Sequence, residues 1–313
     1  MIFHAVMAGY HAYINICCHP PFRVNSIIRS RANGAFLFPF DREKRRNEGF
    51  TIKVVILAGG LGTRISEESH LRPKPMIEIG DQPILWHIMK IYSHYGFNDF
   101  VICCGYKGHV IKEYFADYYL HRSDVTFDFS AENRMTVHEN VAEPWRVTLV
   151  DTGLNTQTGG RVKRIQKYIG NEPFMLTYGD GVSDVDLHAL LKTHQSSGAA
   201  VTLTAIQPGG RFGVLDIDED GGMVTGFREK AREDGGWING GFMVMEPEVF
   251  DYLSADEGCI LERAPMQNLA HDGKLGVYKH EGFWQCMDTQ RDKGLLENLY
   301  NQNRAPWKVW AET

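Results

Sequence analysis

The sequence predicts an α/β fold: a doubly wound, mostly parallel sheet flanked by helices, with a smaller β-rich portion toward the C-terminus. Three observations carry that expectation. Val54-Val55-Ile56-Leu57 is an uninterrupted aliphatic run of the kind buried on both faces of a parallel sheet. Strand-like and helix-like segments alternate through the first two-thirds of the chain. Past residue 214 that alternation gives way to a hairpin pattern.

The elements follow in order. Ile84, Leu85, Ile88, Met89, Ile91, Tyr92 and Tyr95 recur at helical spacing until Gly96 stops the run, and a strand from Phe100 to Cys104 comes next. Helices are expected over His109 to Tyr119 and from Asp186, as cap, to about His194. Strands are expected near Val147 to Val150, Phe174 to Tyr178 and Val201 to Ile206. Val214 to Asp218 and Met223 to Glu229, joined through Asp220-Gly221-Gly222, read as a β-hairpin. Strands at Gly240 to Met245 and Leu275 to Tyr278 flank a helix around Leu261 to His271. There is no internal repeat and no low-complexity linker.

Composition limits the classes open to the chain. Its 313 residues are 43% hydrophobic and 23% charged, ordinary for a globular protein, and the net charge of −6 argues against nucleic-acid binding through a basic surface. The first 50 residues stand apart, with seven Arg or Lys against three Asp or Glu, which leaves 26 basic against 36 acidic residues in the rest. Met1 to Cys18 lacks a basic leader, holds His4, His11 and Asn15, and is too short and polar to span a bilayer. Residues 1–51 are expected to be an extension, either a misassigned start or a loosely docked arm, and 52–313 the functional domain. Six cysteines without C-x-x-C spacing predict a reduced, cytoplasmic protein with no membrane association. The histidines show no metal motif, and His87 and His94 are expected on helix faces.

The chemistry gathers around glycines. After the first strand, Gly59-Gly60-Leu61-Gly62-Thr63-Arg64 turns backbone N–H groups toward an anion, and Lys74 follows in Arg72-Pro73-Lys74-Pro75-Met76. A dinucleotide fingerprint fails because Ile65 stands where its third glycine belongs, and a Walker loop fails because Thr63-Arg64 follows Gly62. An ordinary strand-to-helix turn is the plain alternative; Arg64 and the proline-flanked Lys74 favour phosphate.

Five ordered motifs then carry a resemblance: Leu57 to Arg64, Arg72 to Met76, Thr177-Tyr178-Gly179-Asp180-Gly181, Trp237 to Phe242, and Phe283 to Thr289. From about Lys53 onward the chain resembles the sugar-1-phosphate nucleotidylyltransferases, and among them the branch that joins CTP to glucose 1-phosphate. The resemblance implies a Rossmann-like mixed sheet of the nucleotide-diphospho-sugar transferase type, with the β-rich portion binding sugar. It implies CTP and glucose 1-phosphate as substrates, Mg2+ as cofactor, a homo-oligomer (trimer or hexamer), and a place in deoxysugar synthesis for lipopolysaccharide O-antigen.

The implied roles fall residue by residue. Arg64 faces the β- and γ-phosphates and Lys74 the α-phosphate, as catalytic cations. Leu57, Ala58, Gly59, Gly60, Leu61, Gly62, Thr63 and Gly179 hold the nucleotide, while Thr152, Gly160 and Arg161 stand where relatives read the base. Asp180 and Asp288 ligate magnesium; alone, the first reads equally as a turn aspartate and the second as the cap of a helix starting near Gln290. Glu229 and Lys230 meet the sugar phosphate, although composition alone makes Arg228 to Asp234 a solvated charge run. Asn239 and Gly240 provide a second sugar contact or, taken alone, a turn. Cys286 and Gln290 depart from the family pattern, which has proline and leucine there. The same chemistry on another nucleotide or sugar, and a silent nucleotide-sugar sensor, remain the alternatives.

Overall fold

Side chains of the first strand alternate between two apolar clusters: Val54, Ile56 and Ala58 pack on one face and Val55 and Leu57 on the other. A strand covered on both faces needs no polar side, which is why its sequence is a continuous aliphatic run. In the computed structural model this strand is β1 (Lys53–Ala58). The structure describes residues 52–62, 65, 70–130, 133–207, 214–218, 222–228 and 236–310. Thr63, Arg64, Glu229, Lys230 and the stretch 1–51 lie outside the described residues.

β1 lies near the middle of a seven-stranded sheet. After it come a short pair, β2 (Glu78–Ile79) and β3 (Gln82–Pro83), helix α1 (Ile84–His94), β4 (Asp99–Cys104), α2 (Gly108–Ala116) and α3 (Tyr118–His121). A hairpin of β5 (Ser123–Asp128) and β6 (Arg134–Asn140) leads to β7 (Arg146–Asp151), α4 (Thr158–Arg164), α5 (Gln166–Ile169), β8 (Phe174–Tyr178) and β9 (Gly181–Ser183). Helix α6 (Leu187–Ser197) and β10 (Val201–Ile206) precede the hairpin of β11 (Val214–Ile217) and β12 (Val224–Arg228). The chain continues through β13 (Ile238–Met245), α7 (Ala264–His271), β14 (Leu275–Lys279), β15 (Trp284–Cys286) and α8 (Gln290–Asn301).

The sheet order is β14-β10-β13-β8-β1-β4-β7. β1 pairs parallel with β4 and β8, β4 with β7, and β10 with β14, whereas β13 runs antiparallel to β8 and β10. The mixed, mostly parallel sheet with a β-rich later portion is therefore as expected. Connections leave β1 toward β4 on one side and return as β8 on the other. The carboxyl end of β1 is thus a switch point, where open α/β sheets leave a crevice.

Local differences have local causes. The helix expected over His109 to Tyr119 is two, broken at Asp117 (φ −109°, ψ 7°), and it starts after Lys107 in the left-handed region (φ 48°). The helix expected from Leu261 begins at Ala264, with Pro265 in its first turn, where a missing N–H is harmless. The β5–β6 hairpin was not expected, because its faces are both largely exposed and its sequence alternates weakly. Asp186 caps α6 as anticipated, accepting from the Ala189 N–H at 2.9 Å.

On the far side of α1 the C-terminal segment closes over an aromatic nest. His87 and Trp307 are fully buried, and rings of Trp86 and Tyr300 meet the imidazole edge-on at 5.3 and 5.4 Å. His87 donates from Nε2 to the Ile79 carbonyl at 3.0 Å. Burial pushes its pKa down to about 4, outweighing the Ile79 carbonyl and the field of Asp81.

Candidate active site

The β9–β15 ladder explains how two aspartates distant in sequence meet. Gly181 is paired with Cys286, and the Met287 N–H donates to the Asp180 carbonyl at 2.8 Å, so Asp180 and Asp288 leave neighbouring strands side by side. Asp288 is not the cap of α8. Thr289 takes that role in a capping box with Asp292, leaving the Asp288 carboxylate for the cleft.

Lys74 opens a short 3-10 turn, Lys74–Met76, that follows the extended Pro73 (φ −66°, ψ 149°). Its ammonium lies 2.6 Å from Asp180 Oδ2 and 2.5 Å from Asp288 Oδ1. Burial opposes the charged ammonium, but the field and hydrogen bonds of both carboxylates outweigh it and hold its pKa above the ordinary lysine value. Three groups expected to act on phosphate or metal thus converge at one place.

Around them is a cleft of about 590 Å³. Residues 57–62 of the glycine turn line it, with Lys74, Pro75, Tyr178, Gly179, Asp180, Asp288, the stretch 154–158 and Arg161. Gly179 donates to the Leu57 carbonyl at 2.9 Å, and a Cβ there would sit 2.8 Å from that oxygen, so the close approach of β8 to β1 requires glycine. Gly59 is equally constrained, because a Cβ would lie 2.2 Å from the Arg161 guanidinium.

Arg161 has a different place from the one expected of a base contact. Its guanidinium is sequestered by carbonyls of Gly59, Cys104, Gly153 and Leu154 and by the Thr152 hydroxyl, at 2.7–3.2 Å. It ties together the loops that end β1, β4 and β7, and burial lowers its pKa from the arginine norm. Thr152 is fully buried behind it, donating its hydroxyl to the Cys104 carbonyl at 2.7 Å, and does not line the cleft. Gly160 is also outside the lining, packed on the Asp256 carbonyl. The wall is instead the preceding stretch, Leu154 to Thr158, because α4 turns residues 159 and 160 onto the 256–261 segment.

Asn239 and Gly240 stand behind the lining as well. Asn239 Nδ2 donates to the Tyr178 hydroxyl at 3.3 Å, and the Gly240 carbonyl accepts from Trp284 Nε1 at 2.7 Å. Sequence reasoning missed Tyr178, Thr158 and Glu262. Tyr178 lies within a motif already singled out, and Thr158 lies two residues before Gly160. Glu262 gave no local signal, since its partner Thr158 is 104 positions away.

Comparison with known proteins fits this geometry. The family model described as nucleotidyl transferase matches residues 53–286. The chain is 56% identical over 260 residues to glucose-1-phosphate cytidylyltransferase of Salmonella typhi, covering 83% of this chain and 100% of that one. A probable glucose-1-phosphate cytidylyltransferase of Bacillus subtilis is 46% identical over 259 residues, with the same coverage. Among solved structures, UDP-glucose pyrophosphorylase from Acinetobacter baumanii (TM-score 0.65, 19% identity, 82% of this chain and 96% of that one) shares the fold. So does HddC from Yersinia pseudotuberculosis (TM-score 0.62, 22% identity, 80% and 99%). With the glycine turn, the lysine and the paired aspartates all in place, the chain belongs to the nucleotidyl transferase family.

Proposed function

We propose that the chain transfers the cytidylyl group of CTP to α-D-glucose 1-phosphate, giving CDP-glucose and pyrophosphate. The observation that carries this reading is the convergence of Lys74, Asp180 and Asp288 beside the glycine turn. Identity along the whole length of cytidylyltransferase relatives supports the choice of base and sugar.

A phosphate oxygen of the sugar phosphate attacks the α-phosphorus while the bond from that phosphorus to the bridging oxygen breaks, and pyrophosphate carries the electron pair away. Two polyanions must approach in line, so positioned positive charge and fixed geometry do most of the work. Backbone N–H groups of Gly60 to Thr63 and the Arg64 side chain hold the β- and γ-phosphates. Lys74, kept protonated by its carboxylate neighbours, stabilises charge developing on the α-phosphate. Glu229 and Lys230 take the sugar phosphate, and Asn239 with Gly240 supports the sugar side from behind Tyr178.

The paired carboxylates suit a magnesium ion. Their oxygens approach a single ammonium nitrogen at 2.6 and 2.5 Å, and the described residues contain no cluster of three or more ligating side chains. A hard cation with two carboxylates and substrate phosphates as ligands matches that donor set. Asp180 and Asp288 would hold such an ion, which when bound would neutralise charge at the transferring phosphoryl group. Residues 52–313 form the active unit, working in the cytoplasm as a trimer or hexamer toward deoxysugar precursors of O-antigen. No helix among the described residues is long and apolar enough to cross a membrane.

The test is pyrophosphate release with magnesium and glucose 1-phosphate, comparing CTP, UTP, dTTP, GTP and ATP, with the product identified by mass. CTP is expected to lead. Preference for another nucleotide moves the base assignment, and silence with all five removes the enzymatic reading.

A further inference from the structure

We infer that Glu262 fixes the hydrogen-bond direction of two hydroxyls in the cleft, and that the Thr158 hydroxyl thereby selects a nucleobase bearing an amino group. The inference rests on the CTP reading and deepens it.

Glu262 is just before α7, outside the cleft lining, and both of its oxygens are engaged. Tyr178 O–H donates to Oε1 at 2.5 Å, and Thr158 O–H donates to Oε2 at 2.6 Å. A carboxylate only accepts, and a hydroxyl has one proton to give. With that proton spent on Glu262, each hydroxyl can offer the cleft nothing but a lone pair.

The neighbours enforce the same direction. Thr158 Oγ1 accepts from the Leu261 N–H at 2.9 Å. On the other arm, the Gly241 N–H donates to Asn239 Oδ1 at 2.9 Å, which turns the Asn239 amide so that its Nδ2 donates to the Tyr178 oxygen at 3.3 Å. Polarity therefore runs inward to Glu262 from both ends.

Thr158 is also held in place by the segment that carries Glu262. Gly160 donates to the Cys259 carbonyl at 3.1 Å, and a Cβ on Gly159 would lie 2.7 Å from Cys259 Sγ. The stretch 154–158 brings no charged side chain to the cleft, which suits a base better than a phosphate. Pyrimidines differ at C4, where cytosine has an amine and uracil or thymine a carbonyl. An acceptor fixed by Glu262 bonds the amine and leaves a carbonyl facing a lone pair, so uracil is disfavoured.

The experiment is the ratio of kcat/KM for CTP over UTP in wild type and three variants, with a urea midpoint for each. Glu262→Gln replaces one acceptor with a donor, freeing a hydroxyl proton, and is expected to lower the ratio by roughly tenfold, mainly through KM. Thr158→Val is expected to lose CTP efficiency and gain nothing with UTP, while Thr158→Ser, which keeps the hydroxyl, restores the wild-type ratio. Equal losses on both nucleotides, or a Thr158→Val ratio equal to wild type, overturn the inference. Should Glu262→Gln fail to fold, the valine and serine pair decides. A wild type without CTP preference overturns the reading beneath it, before any variant is compared.

Discussion

Lys74 and His87 are both basic side chains taken out of water, and the protein treats them oppositely. Lys74, 9% exposed, meets two carboxylates and stays charged with its pKa raised. His87, fully buried, meets a backbone carbonyl and aromatic edges, and is held neutral with its pKa lowered to about 4. Burial penalises the charged form in both places, and the outcome turns on direct ion pairing: Lys74 touches two carboxylates, whereas Asp81 acts on His87 only through its field. A buried cation is retained where the cleft needs one, and a basic ring is discharged where the fold needs packing.

The contrast can be broken most forcefully at Lys74. Lys74→Met leaves two carboxylates facing each other without their cation, so turnover is expected to fall by roughly 10³-fold. In chelator-containing buffer, urea denaturation should also show a loss of about 3 kcal/mol, the scale for removing one partner of a largely buried pair. Adding Asp288→Asn to Lys74→Met should recover part of that stability and none of the activity. A single variant as stable as wild type would mean the carboxylates do not depend on Lys74, and the comparison with His87 would lose its first half.

His87 sharpens the other half through pH. An imidazole held neutral in the folded chain takes up its proton near pH 6.5 only when the chain unfolds. Between that value and about 4 the unfolded state binds more protons, so stability falls as pH drops through this window. The expected loss is about 2 kcal/mol between pH 6.5 and 5, from 1.36 kcal/mol per pH unit. His194, whose pKa burial also lowers, contributes in the same region, so the informative quantity is the difference between wild type and His87→Leu. The variant should show a shallower slope in denaturant midpoints from pH 7 to 5. Lys74 works at the opposite edge: its raised pKa gives stability that is complete below the unfolded lysine value and lost as pH rises through the folded one.

What could be read in the sequence tracks which interactions are local. The β1 run and the Asp186 cap each announce themselves within a few residues and stand as read, and the Pro-flanked Lys74, equally local in its signal, lines the cleft. The paired aspartates were found as motifs, but their convergence needed the β9–β15 ladder. The resemblance implies a base contact at Thr152 and Gly160, yet α4 turns Gly160 onto the 256–261 segment and Arg161 covers Thr152. The nest around His87 joins α1 to Tyr300, Trp307 and Trp310 at the far end of the chain, and no spacing rule reaches so far. Glu262 escaped notice for the same reason.

The smallest expected effect comes from removing residues 1–51. As described, both buried sites are assembled from side chains between Lys74 and Trp310, and β1 begins at Lys53. The family model also starts at residue 53, and the Salmonella typhi relative is matched along its whole length by 83% of this chain. A chain starting at Ile52 should therefore keep the wild-type CTP kcat/KM within about twofold and the stability within about 0.5 kcal/mol, the range of changes away from packed or charged features. A larger loss of turnover with the urea midpoint unchanged would place part of the active site before residue 52. A lower midpoint with kcat preserved would instead mean that the first 51 residues pack on the domain, and the two measurements together separate these cases.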